Sequence, residues 1–341
     1  MLGDGFGGAE RYFVDLAVAL ADRGHEVLAI CQTGALAIAH LRTHPGPRIV
    51  TVRAAGTWDP VAVMSIRRLL AAHAPQVVET HLARAAHIAG SAAAPLRVPV
   101  AARIHNYVKL KYYRKVDAFW AATADQREYL MRSGVKRECI EVIPHFSALQ
   151  PVGSAPVAAP GAPIAALGRF VRKKGFDVLL TAAARLRAAG WRLQYVIGGD
   201  GPERSALATQ AAVLGLGGHA NFPGWQDDVA AFLNGAAAFV LPSRDEPFGI
   251  VVLEAMARGI PIVATATQGP REILSAESAY LVPLNDPAAL GAALATALNR
   301  PEERRAKAQA ALDLFRSRYA EDVVVPQVIG AYERLVRRSV Q

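Results

Sequence analysis

Several features that define other classes of protein are scarce or missing in this sequence. Its 341 residues include only two cysteines, Cys31 and Cys139, which lie too far apart for a metal-binding or redox spacing. We expect both to be reduced packing residues, with a disulfide between them as the alternative. No run of about 18 uncharged apolar residues occurs, so we expect no membrane-spanning helix. The start, MLGDGFGGAER, lacks the basic and apolar stretches of a secretory signal, so the cytoplasm is the simplest location.

Acidic residues are outnumbered by basic ones, and the chain carries a formal net charge of +9. The excess lies mainly in the first half of the chain. On charge alone, such a half favours a membrane surface, a nucleic acid or an anionic substrate as its partner. The length exceeds what one hydrophobic core usually holds, and 52% of the residues are hydrophobic. We therefore expect a folded chain of two domains.

Short β-branched runs alternate with helical patterns rich in Ala, Leu and Arg along nearly the whole chain. This alternation predicts an α/β fold with parallel strands and crossover helices on both faces of each sheet. The predicted strands lie at 25–32, 48–54, 76–81, 98–105 and 117–123, and then at 163–170, 193–201, 219–224, 237–243, 261–266 and 279–283.

A stretch rich in proline, glycine and small residues interrupts this rhythm at 149–163, as an interdomain linker does. We therefore predict an N-terminal domain over 1–150, a linker over 151–162 and a second domain over 163–318. Ligands of such sheets bind beyond the carboxyl ends of the strands, so a cleft between the two halves is the expected site.

Glycines cluster ahead of the first helical pattern. In GDGFGG, Gly3, Gly5 and Gly8 fit the G-x-G-x-x-G pattern of dinucleotide-binding folds, but the required preceding strand and the later acid are missing. An NAD-dependent oxidoreductase is therefore kept only as an alternative. Gly7 and Gly8 still precede a helix whose free N–H groups can approach an anion closely. A simple turn would also explain them.

A second candidate segment is LGRFVRKKGFDVLL. Arg169 leaves a predicted strand, Lys174 follows five residues later, and Gly175 begins a predicted helix. A guanidinium and an ammonium converging at a helix start suit a diphosphate, although such a cluster also fits a solvated surface. Further on, VIGGDGPER places Gly199 in a strand-to-helix turn, with Pro202 at the first predicted helical position. A tight turn alone would account for these residues.

Two acids flank an apolar run in EPFGIVVLE. Glu246 is predicted to lie in the loop before a helix and Glu254 one to two turns inside it, so that both face one ligand. The helix N–H groups would then meet phosphate oxygens while the acids accept hydrogen bonds from sugar hydroxyls. The alternative is structural, with Glu246 as a helix cap and Glu254 paired with Arg258.

The block PSRDEPFGIVVLEAMARGIPIVATATQGPREI resembles the E-x7-E signature region of the family-four retaining glycosyltransferases of GT-B fold. Four other segments, GFGGAERYFVDLAVALADRGHEV, VIPH, GRFVRKKGFDVLL and IGGDGPER, occur in the family's order. The resemblance implies two Rossmann-like domains whose parallel sheets face each other across a cleft. It also implies a hexosyltransferase-type enzyme that needs no metal, takes a sugar from a UDP or, less favoured, a GDP donor, and retains the anomeric configuration.

The resemblance also implies roles for single residues. Arg169 and Lys174 match the basic pair that holds the donor diphosphate and stabilises the leaving group. Glu254 matches the acid that binds the ribose, Glu246 the acid beside the donor sugar, and His105 a histidine close to the transferred sugar. The other expected donor-binding residues belong to the glycine loop, a later turn, the base-reading stretch and a helix start: Gly7, Gly8, Gly199, Trp225, Gln226, Phe248, Gly249 and Ile250.

The chain departs from the family at its start, because it opens inside the glycine loop without the apolar strand that normally leads into it. We expect either a start codon chosen too late, which we favour, or a first domain that lacks a strand. His145 and Phe146 stand where Asn-Gly is usual, and Gln268 stands where a second glycine is common. The family also leads us to expect that a C-terminal helix over 319–341 crosses back to the first domain.

His81, His87 and His105 raise the question of a metal site, but no carboxylate or cysteine stands at ligand spacing, and no D-x-D pair occurs. We expect no metal and no cofactor besides the nucleotide-sugar substrate. The segment NYVKLKYYRKVD, 106–117, mixes four basic residues with three tyrosines. It is expected either to lie against an anionic membrane or to form an exposed helix near the acceptor site.

The sequence thus predicts a transferase that acts on a glycan or lipid-linked acceptor in cell-envelope polysaccharide or lipopolysaccharide synthesis. The expected location is cytoplasmic, with peripheral attachment to the inner face of the plasma membrane as a hypothesis. No nucleic-acid partner is expected. A non-enzymatic relative that binds nucleotide or glycan as a scaffold is the other alternative.

Overall fold

A computed structural model describes residues 1–340. The strands are β1 (Leu28–Gln32), β2 (Arg48–Val52), β3 (Val78–His81), β4 (Val100–Ile104), β5 (Ala118–Ala121), β6 (Ile140–Val142), β7 (Ile164–Leu167), β8 (Tyr195–Gly198), β9 (Ala220–Asn221), β10 (Ala238–Leu241), β11 (Ile262–Thr265) and β12 (Tyr280–Val282). The α-helices are α1 (Gly8–Asp22), α2 (Ala37–Leu41), α3 (Pro60–His73), α4 (Leu82–Ala93), α5 (Ala124–Arg132), α6 (Phe176–Ala188), α7 (Arg204–Val213), α8 (Val229–Leu233), α9 (Ile250–Ala257), α10 (Gln268–Ile273), α11 (Pro287–Asn299), α12 (Pro301–Arg318) and α13 (Glu321–Val340).

The chain divides into two compact units. The first comprises Met1–Phe146 together with residues 321–340, and the second is Ser147–Ala320. The helix α13 therefore belongs to the same unit as the N-terminus. Arg23, at the end of α1, forms ion pairs at the start of α13 with Glu321 (2.7 Å) and Asp322 (2.5 Å).

The first unit contains two parallel sheets, a pair β1-β2 and a four-stranded sheet in the order β3-β4-β5-β6. All five residues of β4 are buried, as expected of a parallel strand that is covered on both faces. No strand precedes α1 within residues 1–340, but Met1 pairs with β1 through its backbone. The Met1 amino group donates to Ile30 O (2.9 Å), and Gln32 N–H donates to Met1 O (3.2 Å).

The second unit is built on one parallel six-stranded sheet in the order β12-β11-β10-β7-β8-β9. The chain moves from β7 outward to β8 and β9, and then returns to place β10 on the other side of β7. The carboxyl ends of β7 and β10 therefore form the topological switch point, where ligands of open α/β sheets bind. Gly175 caps α6 with φ of +66°, and the helix begins at Phe176.

The predicted strands are all present, although each is shorter than its sequence range. The sequence analysis missed β6, a three-residue edge strand. It was also wrong about Pro202, which lies in a turn before α7 begins at Arg204. The Pro-rich stretch 149–163 has no helix or strand, and it packs on its own unit through Ala155 N–H, which donates to Gln309 Oε1 (2.9 Å). Across the described chain, no helix has the length and apolarity required to span a bilayer.

Candidate functional site

The loops that follow β7 and β10 are tied together at the switch point of the second unit. The two strands are neighbours in the sheet, and Arg244 N–H donates to Lys173 O (2.7 Å) between their loops. A Cβ at Gly175 would lie 2.1 Å from Pro242 O, so only glycine permits this approach. The arrangement places the RKK segment beside the loop that carries Glu246.

Lys174 and Glu246 meet in this place. The Lys174 ammonium forms a close ion pair with Glu246 Oε2, and the two side chains are 16% and 9% exposed. Ser243 Oγ donates to the same oxygen (3.4 Å). Because an ammonium has three N–H donors, Lys174 can hold this carboxylate and a phosphate oxygen together. The structure therefore joins two residues that the sequence analysis assigned to separate motifs.

Glu246 does not cap α9, which was the structural alternative considered for this residue. The residue that caps α9 is Gly249, with φ of +99°, and α9 has no side-chain cap. Glu254 is the fifth residue of α9 and is buried, with 4% of its surface exposed. The guanidinium of Arg258, the other partner considered for Glu254, donates to Asn234 Oδ1 (2.9 Å).

Arg169 lies two residues after the end of β7 and is exposed. Its guanidinium makes no ion pair or hydrogen bond with any side chain or backbone group in residues 1–340. The next residue, Phe170, is fully buried, and its N–H donates to Asp200 O (2.8 Å). The backbone at Arg169 is therefore fixed by the core while its cation stays available.

Gly199 lies where the β7 and β8 loops touch. A Cβ there would be 1.9 Å from Gly168 O, and its φ is +132°. Its N–H donates to Gly224 O (2.7 Å), which brings the stretch with Trp225 and Gln226 to the same turn. Close packing of three loops explains this glycine without a ligand, so its donor-binding role stays a prediction.

The remaining predicted donor residues are spread over two loops and the start of one helix. Trp225 is 40% exposed, and its Nε1 donates to Asp227 Oδ1 (3.0 Å). The Gln226 side chain turns back to donate to Gly224 O (3.0 Å). At the start of α9, Phe248 is buried and Ile250 is half-buried.

Arg244 is a residue of this region that the sequence analysis missed. It forms two hydrogen bonds with Asp177 in the first turn of α6 (2.7 and 2.6 Å). These bonds lower the pKa of the Asp177 carboxyl. The sequence contained a signal for Arg244, since PSRD places this residue in the short loop between the end of β10 and Glu246. Its role is to hold the two loops that carry Lys174 and Glu246.

His105 belongs to the first unit, where it lies beyond the end of β4 within a cluster of aromatic rings. Its Nε2 lies 3.0 Å from His81 Nδ1, and its ring stacks on His145 at 4.8 Å between centroids. Tyr12 of α1 contacts the same rings, at 4.4 Å from His145. Burial, reinforced by the Arg103 cation, lowers the pKa of His105 to about 3. The imidazole is therefore neutral near pH 7 and offers one donor and one acceptor.

A buried ion pair supports this cluster, and the sequence analysis did not find it. Arg103 is 1% exposed, and it donates to Glu79 Oε1 (3.2 Å) and to Ile143 O (3.0 Å). Its guanidinium lies over the rings of Tyr12 and Trp120. The available signal was the pair of strand endings ETH and ARIH, in which a charged residue stands two positions before a histidine.

The three histidines named in the sequence do not converge. His87 packs on Trp58 (4.0 Å), apart from the pair His81 and His105. Among residues 1–340, no group of three His, Cys, Asp or Glu side chains is placed to hold a metal ion.

The glycine loop and the basic segment complete the first unit's candidate residues. Gly7 is the N-cap of α1 and Gly8 its first residue, with no side-chain cap. A cavity of about 210 Å³ is lined by Arg103, His105 and much of 106–113. The helix considered for 106–117 is wrong, since the segment contains only a single 3₁₀ turn, Leu110–Tyr112.

The class of protein follows from the parallel α/β sheets of both units and from a switch point where Lys174 pairs with Glu246 and Arg244 with Asp177. The family model described as "Glycosyltransferase Family 4" matches residues 6–149, and that described as "Glycosyl transferases group 1" matches residues 161–313. The chain belongs to glycosyltransferase family 4. The expected GT-B fold and glycosyltransferase activity are confirmed, and the oxidoreductase interpretation is wrong.

The chain is similar to known proteins along most of its length. It is 33% identical over 288 residues to the lipopolysaccharide core biosynthesis glycosyltransferase LpsE of Rhizobium meliloti, with 82% of each chain covered. It is 29% identical over 339 residues to LpsD of the same organism, covering 97% of this chain and 96% of the relative. The crystal structure of Anabaena HepE in complex with UDP and glucose has a TM-score of 0.83 at 18% identity, with 98% of each chain covered. At that identity the likeness shows the fold.

Proposed function

We propose that the protein is a metal-independent, retaining glycosyltransferase that uses a UDP-sugar in cell-envelope polysaccharide or lipopolysaccharide synthesis. The observation that carries the proposal is the Lys174–Glu246 pair at the switch point, with the unpaired Arg169 in the same loop as Lys174. The names of LpsE and LpsD support the pathway, and HepE, which binds UDP, supports the donor. GDP remains the second donor to test.

The chemistry proposed for the cations is stabilisation of the leaving group. When the sugar leaves a nucleoside diphosphate, negative charge grows on the bridging phosphate oxygen. Fixed cations and helix N–H groups lower the barrier by meeting that charge where it develops. Glu246 already neutralises much of the charge of Lys174, so Arg169 supplies the larger uncompensated positive charge. The N-terminus of α9 at Gly249 adds backbone donors.

The acids are assigned to the sugars of the donor. Glu254 accepts hydrogen bonds from the ribose hydroxyls, and Glu246 lies beside the transferred sugar. We assign no covalent step to Glu246, because its carboxylate is held by Lys174 and Ser243. Gly7, Gly8, Gly199, Trp225, Gln226, Phe248 and Ile250 are retained as proposed donor contacts.

The first unit is assigned to the acceptor, a glycan or a lipid-linked sugar. The cavity beside His105 opens between that histidine and the tyrosine-rich stretch 106–113, which suits the hydroxyls and apolar faces of a sugar. His105 is proposed to orient a hydroxyl as a neutral imidazole.

Peripheral attachment to an anionic membrane is part of the proposal. Four cations of the segment 106–117 are exposed, and Trp58, itself 63% exposed, lies 6.0 Å from the Tyr112 ring. Exposed aromatic rings among cations suit the interface of a bilayer with anionic head groups.

Nucleotide binding tests the core of the proposal. UDP should raise the melting temperature more than GDP, ADP or NAD. Arg169→Ala should weaken UDP binding by about 10- to 100-fold, since a charge-assisted hydrogen bond contributes roughly 1.5 to 3 kcal/mol. Titration calorimetry gives the dissociation constants, and release of UDP from a panel of UDP-sugars identifies the donor.

Arg172→Ala is the matched control, because Arg172 is also exposed and lies three residues further on in the same loop. It should bind UDP as the unaltered protein does. Stabilisation by NAD alone, or equal losses in the two variants, would contradict the proposal.

A further inference from the structure

A series of buried polar groups in the first unit ends at His105. Tyr332 OH donates to Glu79 Oε2, and Glu79 Oε1 lies 3.4 Å from His81 Nε2. The other ring nitrogen of His81, Nδ1, lies 3.0 Å from His105 Nε2. The side chains of Glu79 and His81 are only 8% and 3% exposed, so these groups depend on one another for partners. Each nitrogen in the series must therefore match its neighbour as donor or acceptor.

Glu79 determines the direction of this series, because its carboxylate faces donors. Arg103 Nε donates to Glu79 Oε1 (3.2 Å). Burial, together with the charge of Glu79, raises the pKa of Tyr332, so that its hydroxyl keeps its proton and donates. A carboxylate oxygen attracts an N–H and repels the lone pair of a bare nitrogen, so His81 Nε2 carries the hydrogen. Burial lowers the pKa of His81, so its ring is neutral and its Nδ1 is bare.

The bare nitrogen of His81 fixes the ring of His105 in turn. Two bare nitrogens would repel each other at 3.0 Å, so His105 Nε2 is the donor and carries the hydrogen. The neutral ring of His105 therefore has no hydrogen on Nδ1. This nitrogen makes no hydrogen bond to any group in residues 1–340, and His105 lines the cavity of about 210 Å³. A hydroxyl that binds Nδ1 must be the donor of the hydrogen bond.

The two strands bring the histidine rings together. His81 ends β3, and its register partner in β4 is Arg103, two residues before His105. Leu82, which follows His81, has a φ of +69°, a strained conformation for leucine that persists only where the surrounding structure fixes it. The backbone therefore sets the approach of the two imidazoles, in addition to their own hydrogen bond.

We propose that Glu79 and His81 are positioning residues, which hold His105 in the tautomer with hydrogen on Nε2 and thereby present Nδ1 to a sugar hydroxyl as an acceptor. We call Glu79, His81 and His105 the histidine relay. The contact with a sugar rests on the proposed function, and the hydroxyl belongs either to the transferred sugar or to the acceptor. A hydroxyl that donates to Nδ1 keeps the lone pairs of its oxygen for other partners.

Nitrogen NMR of the ligand-free protein tests the histidine relay without any substrate. The nine histidines are labelled with ¹⁵N, and the signals of His105 are those that disappear in His105→Gln. A ring nitrogen that carries hydrogen and a bare one have well-separated chemical shifts. At neutral pH, His105 should carry its hydrogen on Nε2. A hydrogen on Nδ1 would overturn the proposal, whatever reaction the protein catalyses.

Substitution of His81 tests whether the relay sets the tautomer. His81→Phe removes the acceptor and keeps an aromatic ring in a site that is 2% exposed. The tautomer ratio of His105 should then shift about fivefold toward hydrogen on Nδ1, which is the contribution of one net hydrogen bond. His81→Gln should restore the ratio, because an amide, like an imidazole, places a donor and an acceptor on either side of one carbon.

Tyr12→Phe is the matched control, since it removes a hydroxyl from the same cluster of rings. It should leave the tautomer ratio of His105 unchanged. An unchanged ratio in His81→Phe, or an equal shift in Tyr12→Phe, would contradict the histidine relay.

Titration of the labelled protein identifies the source of the hydroxyl. A hydroxyl that donates to His105 Nδ1 moves the signal of this nitrogen. UDP-glucose should move it if the hydroxyl belongs to the transferred sugar, and a deacylated lipopolysaccharide core oligosaccharide should do so if it belongs to the acceptor. UDP alone is the control and should not move it. If neither probe moves the signal while UDP still raises the melting temperature, the sugar contact is wrong and the transferase assignment stands.

Discussion

At the scale of single residues, the ion pair between Lys174 and Glu246 lowers the net positive charge of the site. Each was predicted from its own segment, but the sequence could not show that the two form an ion pair. A paired lysine contributes less net positive charge to a phosphate than a free one. Under the proposed function, the exposed Arg169, whose backbone is anchored by buried Phe170, is therefore assigned as the main cation for the donor.

Glu254 allows a test of the ribose assignment. Glu254→Gln should weaken UDP binding about 10-fold or more, because a charged acceptor of a hydrogen bond contributes roughly 1.5 to 3 kcal/mol. Binding of 2′-deoxy-UDP, which lacks one ribose hydroxyl, should fall less in this variant than binding of UDP. Calorimetric titrations of both nucleotides measure the difference.

Glu302→Gln is the control for that experiment, since Glu302 is an exposed acid in α12. It should leave both affinities unchanged. Equal losses for UDP and 2′-deoxy-UDP in Glu254→Gln would show that the carboxylate does not contact the missing hydroxyl.

At the scale of elements, the strands were the most predictable part of the fold. Strands such as β7 and β10 are buried at every residue, so their sequences are continuous apolar runs with clear ends. The strand β6 was not predicted because it has only three residues, of which only the first is buried. The conformation of segment 106–117 could not be predicted from its own residues, so a helix was one of the interpretations. Its side chains are held by contacts distant in sequence, such as that of Tyr107 OH with Asp125.

The Gly199 turn is an element whose glycine can be tested for stability. Gly199→Ala should lower the free energy of unfolding by about 3 kcal/mol or more, because it combines a strained φ with a Cβ placed against Gly168 O. Gly217→Ala is the matched control, since a Cβ there meets nothing within 4 Å. Urea unfolding measures both. A loss below about 1 kcal/mol for Gly199→Ala would contradict the close-packing explanation.

At the scale of the whole molecule, the sequence predicted the GT-B class because its motifs are local and ordered along the chain. The network of Tyr12, Glu79, Arg103, His145 and Tyr332 could not be predicted in this way. Its members come from five separate segments, and the hydroxyl of Tyr332 in α13 reaches Glu79 in β3. Such contacts follow from tertiary packing, which no spacing in the sequence records.

The net charge of +9 bears on membrane attachment. Each exposed cation near an anionic surface contributes about 1 kcal/mol, so replacing four by alanine should weaken liposome binding by at least about 100-fold. The cations to replace are Lys109, Lys111, Arg114 and Lys115. Sedimentation with phosphatidylserine vesicles at low salt measures the partition.

A control with the same loss of charge separates location from net charge. It replaces four exposed cations of the same unit outside the segment, namely Arg97, Arg132, Lys136 and Arg137. This control should keep most of the binding. Equal weakening in both variants, or no binding by the unaltered protein, would end the membrane hypothesis.

The inclusion of α13 in the first unit has a consequence for biosynthesis. The second unit, Ser147–Ala320, is a continuous stretch that the ribosome delivers whole, whereas the first unit is interrupted by it. Tyr332 cannot reach Glu79, nor Glu321 reach Arg23, until all of the second unit has been translated. Synthesis of the first unit therefore begins first and ends last. Until α13 has been made, the surface that this helix covers stays exposed to chaperones.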